Sequence, residues 1–561
     1  MVVTRRLRVV LVSVCLLSCA LVSAQAPPPR PASADFAWPG GGQPLPPPLH
    51  AALETIQAPS LAAHIALLAS ASLDGRGLGT KGLDAAAEYI AATLKLAGIP
   101  PFAPAEKGPA LGPYFHAVPL RQITHPSGQV TVDVTRGEAT DSRTFLANVD
   151  CLFPELPPMA VSAPVVFAGY GIREASPARD DYRGLDVKDR IVLVLAGVPA
   201  GAGWDTGAMR DRYASDSARR RFAAKAELAR SLGARALLAI EGDGFPQLLA
   251  TGASSPASTF FVGQDDDEMP LPVVRITRAA GDALLAAGYL TPEGAAEPAP
   301  EGAAASAPRT LPGLTATIRI AGDERLLVGR NVIGVILGAD PVLRETAVII
   351  GAHMDHLGHS GDRLYPGADD NASGTAALLE IAKAFAAGPQ KPLRTVVFAF
   401  WTGEEEGHLG SEHYVRRPLW PLGRTAVYLN LDMIAHPWTL EEIRQLVADA
   451  KLPGGEALVA TVKPEAFIEL GVAESAPGLD PVLTQASKAL GLALHLDRTD
   501  GRSGGSDYRA FARKDIPFVR FFGNYFAGYH EPADTAEALD ARQVERMARL
   551  AFASAWLFAN R

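Results

Sequence analysis

The stretch AVIIGAHMDH, residues 347–356, decides the fold, because an apolar run leads directly into a histidine and an aspartate. Ala347 to Ile350 is a continuous apolar run rather than an alternating one, which is typical of a strand buried on both faces. His353 and Asp355 follow it. In sheets built from such strands, ligands bind at the carboxyl ends. The stretch therefore predicts a covered strand that ends in a functional site.

The same arrangement recurs along the rest of the chain. In each case, polar residues stand next to an apolar segment. Asp369 and Asp370 precede the helical pattern Gly374 to Phe385, and Glu404 to Glu406 follow the strand pattern Thr395 to Phe400. Asp432 follows Val427 to Leu431, and Tyr529 and His530 follow Phe518 to Phe522. This alternation of strand and helix patterns predicts an α/β fold with a mixed, mostly parallel sheet flanked by helices. We expect the histidines and carboxylates to converge at one edge of that sheet.

Such a set of side chains suits a pair of metal ions. Two histidines and three carboxylates can hold two Zn²⁺ ions if one carboxylate bridges them. Metal ions about 3.5–4 Å apart can share one water and lower its pKa toward about 7. A further carboxylate must then act as general base, and another can orient a ligating histidine. The sequence therefore predicts a hydrolytic site with two zinc ions per chain.

In this order, the motifs resemble metallopeptidase family 28, the co-catalytic zinc family of bacterial leucyl aminopeptidases and glutamate carboxypeptidase. The resemblance implies metal ligands at His353, Asp369, Glu405, Asp432 and His530. It implies that Asp369 bridges the metals and that the Asp369–Asp370 peptide bond is cis. It also implies catalytic roles for three residues: Glu404 as general base, Asp355 orienting His353, and Tyr529 as a hydrogen-bond donor to the tetrahedral intermediate.

Two features of the motifs leave alternatives open. Three consecutive glutamates allow a slip of one residue, which would make Glu405 the base and Glu406 the ligand. Ser506-Asp507-Tyr508 stands where many members of the family carry Ser-Asp-His. Five histidines near the motifs are interpreted as surface or hydrogen-bonded groups, namely His356, His359, His408, His413 and His436, and Asp370 and Glu406 are interpreted as solvated side chains.

A second unit interrupts the peptidase pattern. The phrases VVFAGYGI, DYRGLDVKDRIVLV and ARSLGARALLAI resemble the protease-associated domain, a smaller β/α domain often inserted into secreted peptidases. We place this insertion at residues 151–280, between an amino-terminal part of the peptidase domain at 51–150 and its main part at 281–561. The Ala-, Pro- and Gly-rich stretch from Thr291 to Pro312 predicts a long surface loop.

The amino terminus and the composition indicate the cellular location of the protein and exclude some classes of partner. Residues 1–24 have the basic start, apolar run and small-residue cleavage site of a signal peptide, and residues 25–50 form a Pro/Gly-rich leader. A secreted or periplasmic protein is expected, with lipid attachment at Cys19 as the minority interpretation. No later stretch has the length and low charge of a membrane span. The net charge of −9 argues against nucleic acid as a partner.

The expected activity is that of an aminopeptidase with a peptide substrate. A carboxypeptidase or dipeptidase on the same site stays open, and Arg502 or Arg509 could then pair with a substrate carboxylate. A glutaminyl cyclase ranks lower, because the chain keeps a full set of ligands for two metals. The alternative that is not an enzyme is a receptor-like binding protein without catalytic activity. The oligomeric state is left open.

Overall fold

The computed structural model describes residues 45–102, 112–154, 156–215, 218–242, 244–250, 258–262, 271–287, 307–452 and 454–561. The predicted signal peptide with Cys19, the leader up to residue 44 and residues 291–306 of the predicted loop lie outside the described residues. None of the helices in the described part of the chain has the length and apolar character that crossing a membrane requires.

The strands are numbered in chain order. They are β1 Phe115–Arg136, β2 Ala139–Leu146, β3 Cys151–Leu152, β4 Met159–Phe167, β5 Arg173–Ala175, β6 Ala178–Asp180, β7 Ile191–Leu195, β8 Ala236–Ile240, β9 Ser258–Val262, β10 Val273–Ile276, β11 Arg309–Ile336, β12 Ala347–His353, β13 Gly358–Ser360, β14 Arg363–Tyr365, β15 Thr395–Trp401, β16 Thr425–Leu431, β17 Phe467–Ala473, β18 Ala493–Thr499 and β19 Phe518–Phe521.

The α-helices are numbered in the same way. They are α1 Pro47–Leu53, α2 Ala58–Leu68, α3 Lys81–Leu96, α4 Gly207–Tyr213, α5 Ala218–Ser231, α6 Phe245–Ala250, α7 Arg278–Ala287, α8 Gly374–Ala387, α9 Leu409–Arg416, α10 Leu440–Asp449, α11 Gly455–Thr461, α12 Asp480–Ala489, α13 Tyr508–Ala512 and α14 Ala541–Ala559.

One large sheet runs through both units, in the order β18-β17-β19-β16-β12-β15-β11-β4-β7-β8-β10-β3. In its first half, β15, β12, β16 and β19 run parallel, and β11 and β17 flank them in the antiparallel direction. In its second half, β4, β7, β8 and β10 form a smaller parallel set. The mixed, mostly parallel sheet that the sequence predicts is confirmed.

Helices cover both faces of the first half of the sheet. On β15, Phe398 contacts Phe385 of α8. Trp401 instead contacts Tyr414 of α9 and Phe511 of α13. Residues an odd number of positions apart on a strand point to opposite faces, so α8 lies on one face and α9 and α13 lie on the other. The burial on both faces explains why β12 and β15 are continuous apolar runs.

The strand β11 belongs to both halves of the sheet. It pairs with β4 between residues 309 and 320 and with β15 between residues 332 and 336, and its middle part pairs with β1. The sequence places residues 309–312 in a surface loop and begins a strand only at Val332. That prediction is wrong for residues 309–312, because Arg309 and Thr310 already pair with β4.

A pair of buried histidines joins α9 to β1 and makes the fold sensitive to acid. The rings of His116 and His413 lie 5.1 Å apart, and the Asn331 side-chain amide donates to His116 Nδ1. Burial lowers the pKa of each imidazole to about 4. The unfolded chain, with a histidine pKa of about 6.5, therefore binds more protons than the folded chain between these values.

We therefore expect stability to fall as the pH drops from about 6.5 toward 4. His413→Gln removes one of these groups and should reduce that loss by on the order of 1 kcal/mol at pH 5, relative to the difference at pH 7.5. Denaturant unfolding of the parent and the variant at both pH values measures this. An equal difference in unfolding free energy at the two values would contradict the prediction.

Candidate active site

The site lies where the parallel strands end, because the carboxyl ends of such strands meet at one edge of the sheet. The residues that converge there come from separate loops: His353 and Asp355 from the end of β12, Asp370 from the loop before α8, Glu404 and Glu405 after β15, Asp432 after β16, and His530 after β19. Most of these residues are buried, and His530 is partly exposed.

The first half of the site is built around His353. Its Nε2 lies 3.2 Å from Asp432 Oδ1 and 3.3 Å from Asp370 Oδ1. Its Nδ1 lies 3.2 Å from the main-chain oxygen of Asp355 and 3.9 Å from the Asp355 carboxylate. That carboxylate accepts the main-chain N–H groups of Glu404 and Glu405. Asp355 therefore connects the β12 loop with the glutamate loop.

The second half of the site is built around His530. Its Nε2 lies 3.1 Å from Asp370 Oδ2 and 3.2 Å from Glu405 Oε2. The other oxygen of Glu405, Oε1, lies 2.6 Å from Nδ1 of His356. The two carboxylate oxygens of Asp370 thus face the two histidines, one on each side.

The structure places Asp370, not Asp369, between the two histidines, whereas the sequence expects the bridging carboxylate at Asp369. The Asp369 carboxylate turns away and accepts hydrogen bonds from the Ala435 N–H and from Ser373, and it lies 2.7 Å from His436 Nδ1. Adjacent side chains on this segment point in different directions, so Asp370 alone of the two lies between His353 and His530.

Two further expectations about this segment are corrected with it. The non-proline cis peptide bond follows Asp370, at Asp370–Asn371, rather than joining Asp369 to Asp370. Asp370 is also buried, whereas the sequence interpretation leaves it in solvent. The carboxylate of Asp534 accepts the main-chain N–H groups of Asp369 and Asp370 and so holds the segment in place.

The three consecutive glutamates take different positions. Glu404 Oε2 faces His353 Nε2 at 3.9 Å, and its Oε1 lies 3.0 Å from His408 Nε2. Glu405 contacts His530, and Glu406 is exposed. Of the three glutamates, Glu404 and Glu405 thus face the site and Glu406 does not.

Burial and contacts shift the pKa values of these groups in opposite directions. Burial raises the pKa of Glu404 well above its usual range. Burial also raises the pKa of Asp370, but hydrogen bonds with His353 and His530 outweigh it and bring that pKa below its ordinary value. Burial lowers the pKa of His530, yet its contacts with Asp370 and Glu405 raise it to about 10. The surroundings of Asp370 therefore stabilise positive charge on both sides of its carboxylate.

Aromatic residues line the side of the site next to His530. Tyr529 stacks on the His530 ring with centroids 3.9 Å apart and is 37% exposed, so it stands at the border between the site and solvent. Tyr525 contacts the Tyr529 ring, and Phe526 stacks on His436 at 3.8 Å. His436 in turn contacts Asp369. One set of rings thus lies against His530, and the other lies against the histidine that contacts Asp369.

Sequence reasoning missed several residues that shape the site. His356 and His408, interpreted as surface or hydrogen-bonded, each contact one of the functional glutamates. His356 ends the phrase GAHMDH and His408 ends the phrase EEEGH, and that position was the available signal. No local signal marked Arg76, whose buried guanidinium donates to main-chain oxygens of Met354, Pro366 and Gly367 and so connects two loops of the site.

The donor set fits a pair of transition-metal ions. Ligand atoms of His353, Asp370 and Asp432 lie within 4.8 Å of one another, as do those of His356, Asp370 and Glu405, with Asp370 common to both groups. Imidazole nitrogen and carboxylate oxygen are the donors that Zn²⁺ accepts at catalytic sites. Buried carboxylates at this density also need positive charge to offset their desolvation.

Comparisons with known proteins match two segments of the chain to known families. Residues 331–555 match the profile of Peptidase family M28, and residues 161–284 match that of the PA domain. A probable lipoprotein aminopeptidase, LpqL, from Mycobacterium tuberculosis is 26% identical over 516 residues, which cover 86% of this chain and 81% of that protein.

Further similarities are more local or more distant. An aminopeptidase from Pseudomonas aeruginosa is 42% identical over 95 residues, which cover 17% of this chain and 16% of that protein. A solved aminopeptidase from Aneurinibacillus sp. strain AM-1 aligns with a TM-score of 0.46 at 20% identity, over 91% of this chain and 96% of that one. The two profile matches confirm the resemblance found in the sequence: residues 331–555 form a domain of Peptidase family M28, and residues 161–284 form a PA domain.

Proposed function

We propose that the protein is an exported aminopeptidase that removes residues from the amino terminus of peptides, using two zinc ions and Glu404 as general base. The observation that carries this proposal is the position of Asp370 between two histidines, with Glu404 beside one of them. Such a site has one carboxylate to share between metals and another left over for proton transfer.

The residues divide into two metal positions. His353 and Asp432 would hold one zinc ion, Glu405 and His530 would hold the other, and Asp370 would contact both. When bound, such a pair supplies Lewis-acid activation of a water molecule and of the scissile carbonyl. His356 fixes the Glu405 oxygen that faces away from His530.

Glu404 is the group that moves the proton. Its Oε2 points toward the same region as His353 Nε2, where the attacking water must lie. Burial raises the pKa of Glu404, which suits a carboxylate that accepts a proton from water and then gives it to the leaving amine. Burial also raises the pKa of Tyr529, so its phenol keeps its proton and can donate a hydrogen bond to the tetrahedral intermediate.

Cleavage from the amino terminus is favoured over carboxypeptidase action by two observations. Arg502 pairs with Asp515, and Arg509 lies 3.9 Å from Glu412 and donates to the Gly407 carbonyl, so both arginines already have partners. The relatives from Mycobacterium tuberculosis and Pseudomonas aeruginosa are named aminopeptidases. Export rests on the signal-peptide pattern of residues 1–24 and on the lipoprotein name of the former relative.

The test combines metal content with the direction of cleavage. The mature chain is purified, its zinc is counted by elemental analysis, and one peptide is offered free, N-acetylated and C-amidated. We expect two zinc ions per chain and cleavage of the free and amidated peptides, but not of the acetylated one, because an aminopeptidase needs the free α-amine. Blocking by C-amidation instead would replace the proposal with carboxypeptidase action. No cleavage of any form after zinc is restored would favour a binding protein.

A further inference from the structure

His408 stands directly behind the glutamate that the proposed function uses as base. Its backbone has a φ of 65°, a left-handed conformation that is uncommon outside glycine. The main-chain N–H groups of Gly407 and His408 both donate to the Glu404 carbonyl, which closes the segment into a tight turn. This turn brings the imidazole back onto the Glu404 side chain, with Nε2 3.0 Å from Oε1.

The contact gives the two oxygens of Glu404 different surroundings. Oε1 lies against His408, whereas Oε2 faces His353 at 3.9 Å. The neighbouring Glu405 is divided in the same way, with Oε1 against His356 and Oε2 against His530. Each functional glutamate thus has one oxygen next to a histidine from outside the ligand set and one oxygen free to face the centre of the site.

His408 is itself held firmly. The residue is only 6% exposed, and the Ser411 hydroxyl contacts both the His408 carbonyl and the Asp507 carboxylate. Burial lowers the pKa of His408 to about 3, so the ring is neutral near pH 7 and carries one N–H. Neither ring nitrogen makes a well-aligned hydrogen bond to a described residue, although the backbone of Gly505 and Gly407 also lies near the ring. The Glu404 carboxylate, at 3.0 Å, is the side-chain acceptor next to Nε2, and a small rotation of either side chain would align the two.

We propose that His408 is a positioning residue that fixes the rotamer of Glu404 through Oε1 and so leaves Oε2 as the oxygen that exchanges the proton. This inference rests on the proposed function of Glu404. A base held in one orientation reacts more often than one that samples several, and misplacement by about 1 Å can cost on the order of 100-fold in rate. His408 should therefore affect kcat rather than substrate binding.

The test compares three variants at pH 7.5. His408→Leu removes the ring nitrogens, His408→Gln restores a donor near the position of Nε2, and His413→Leu is the matched control, a buried histidine of α9 that contacts His116 instead of a glutamate. We expect His408→Leu to lower kcat by about 10- to 100-fold with unchanged KM and zinc content. His408→Gln should recover most of that loss, and His413→Leu should keep the parent kcat.

A second measurement does not depend on activity. A double-mutant cycle between His408→Leu and Glu404→Gln, read as thermal midpoints of the zinc-depleted protein, should show non-additive shifts of a few degrees, because the side chains touch. Additive shifts, a KM effect without a kcat effect, or a Gln variant as slow as the Leu variant would each overturn the proposal. If the parent cleaves no peptide, the proposed function fails, and the cycle alone then decides whether the contact exists.

Discussion

Replacing Glu404 by glutamine should lower kcat by about 10²- to 10⁴-fold while the zinc content stays that of the parent chain. The amide keeps the shape of the side chain but cannot accept the proton of the attacking water. Glu404 lies 3.9 Å from His353 and is not one of the side chains that contact His530, so its loss should leave the metal positions intact. Steady-state kinetics and elemental analysis of the same preparation measure both quantities.

The neighbouring glutamates supply the controls. Glu405→Gln should lose metal as well as activity, because Glu405 Oε2 faces His530. Glu406→Gln should resemble the parent, because Glu406 is exposed. If instead Glu404→Gln stayed active while Glu405→Gln kept its zinc and lost its turnover, the roles would be shifted by one residue along the chain.

Replacing each of the two adjacent aspartates by asparagine, in separate variants, should have opposite consequences for metal binding. Asp370→Asn removes the charge that lies between His353 and His530, so we expect the variant to lose at least one zinc ion per chain and nearly all activity. Asp369→Asn changes a carboxylate that contacts Ala435, Ser373 and His436 instead, and it should retain both metal ions.

Zinc per chain, counted after dialysis against a weak chelator, distinguishes the two aspartates. The thermal midpoint of each variant serves as the control for folding, since Asp369 is buried and its replacement is expected to cost stability. Retention of two zinc ions by Asp370→Asn, together with metal loss in Asp369→Asn, would restore the bridging role that the sequence suggested for Asp369.

The strands of the peptidase part and the sheet edge at which its polar residues gather could be predicted because they depend on local patterns. Ala347 to Ile350 is apolar throughout, and the polar residues come after it, which is enough to place His353 at a strand end. The resemblance then named His353, Glu404, Glu405 and His530 as site residues, and the structure brings these four side chains to the same edge of the sheet.

What could not be predicted depends on contacts between distant parts of the chain. Asp369 and Asp370 have the same local signals, and the choice between them is made by Asp534 and His436, which are far away in sequence. The role of His408 depends on a left-handed backbone conformation that no residue pattern announced. For the same reason, the pairing of Arg309 and Thr310 with β4 could not be recognised in a stretch whose composition is typical of loops.

The long strand β11 restricts which insertions and deletions this part of the chain can accept. Side chains alternate between faces along a strand, so inserting one residue between 320 and 332 would invert which side chains face the core in one half of the sheet. Insertions or deletions of two residues, matched in β1, preserve that alternation, whereas a single inserted residue has to be absorbed by a bulge like the one that β1 already carries between Thr124 and Ser127. Changes in length between the PA domain and the first half of the sheet therefore come either in even steps or together with a bulge.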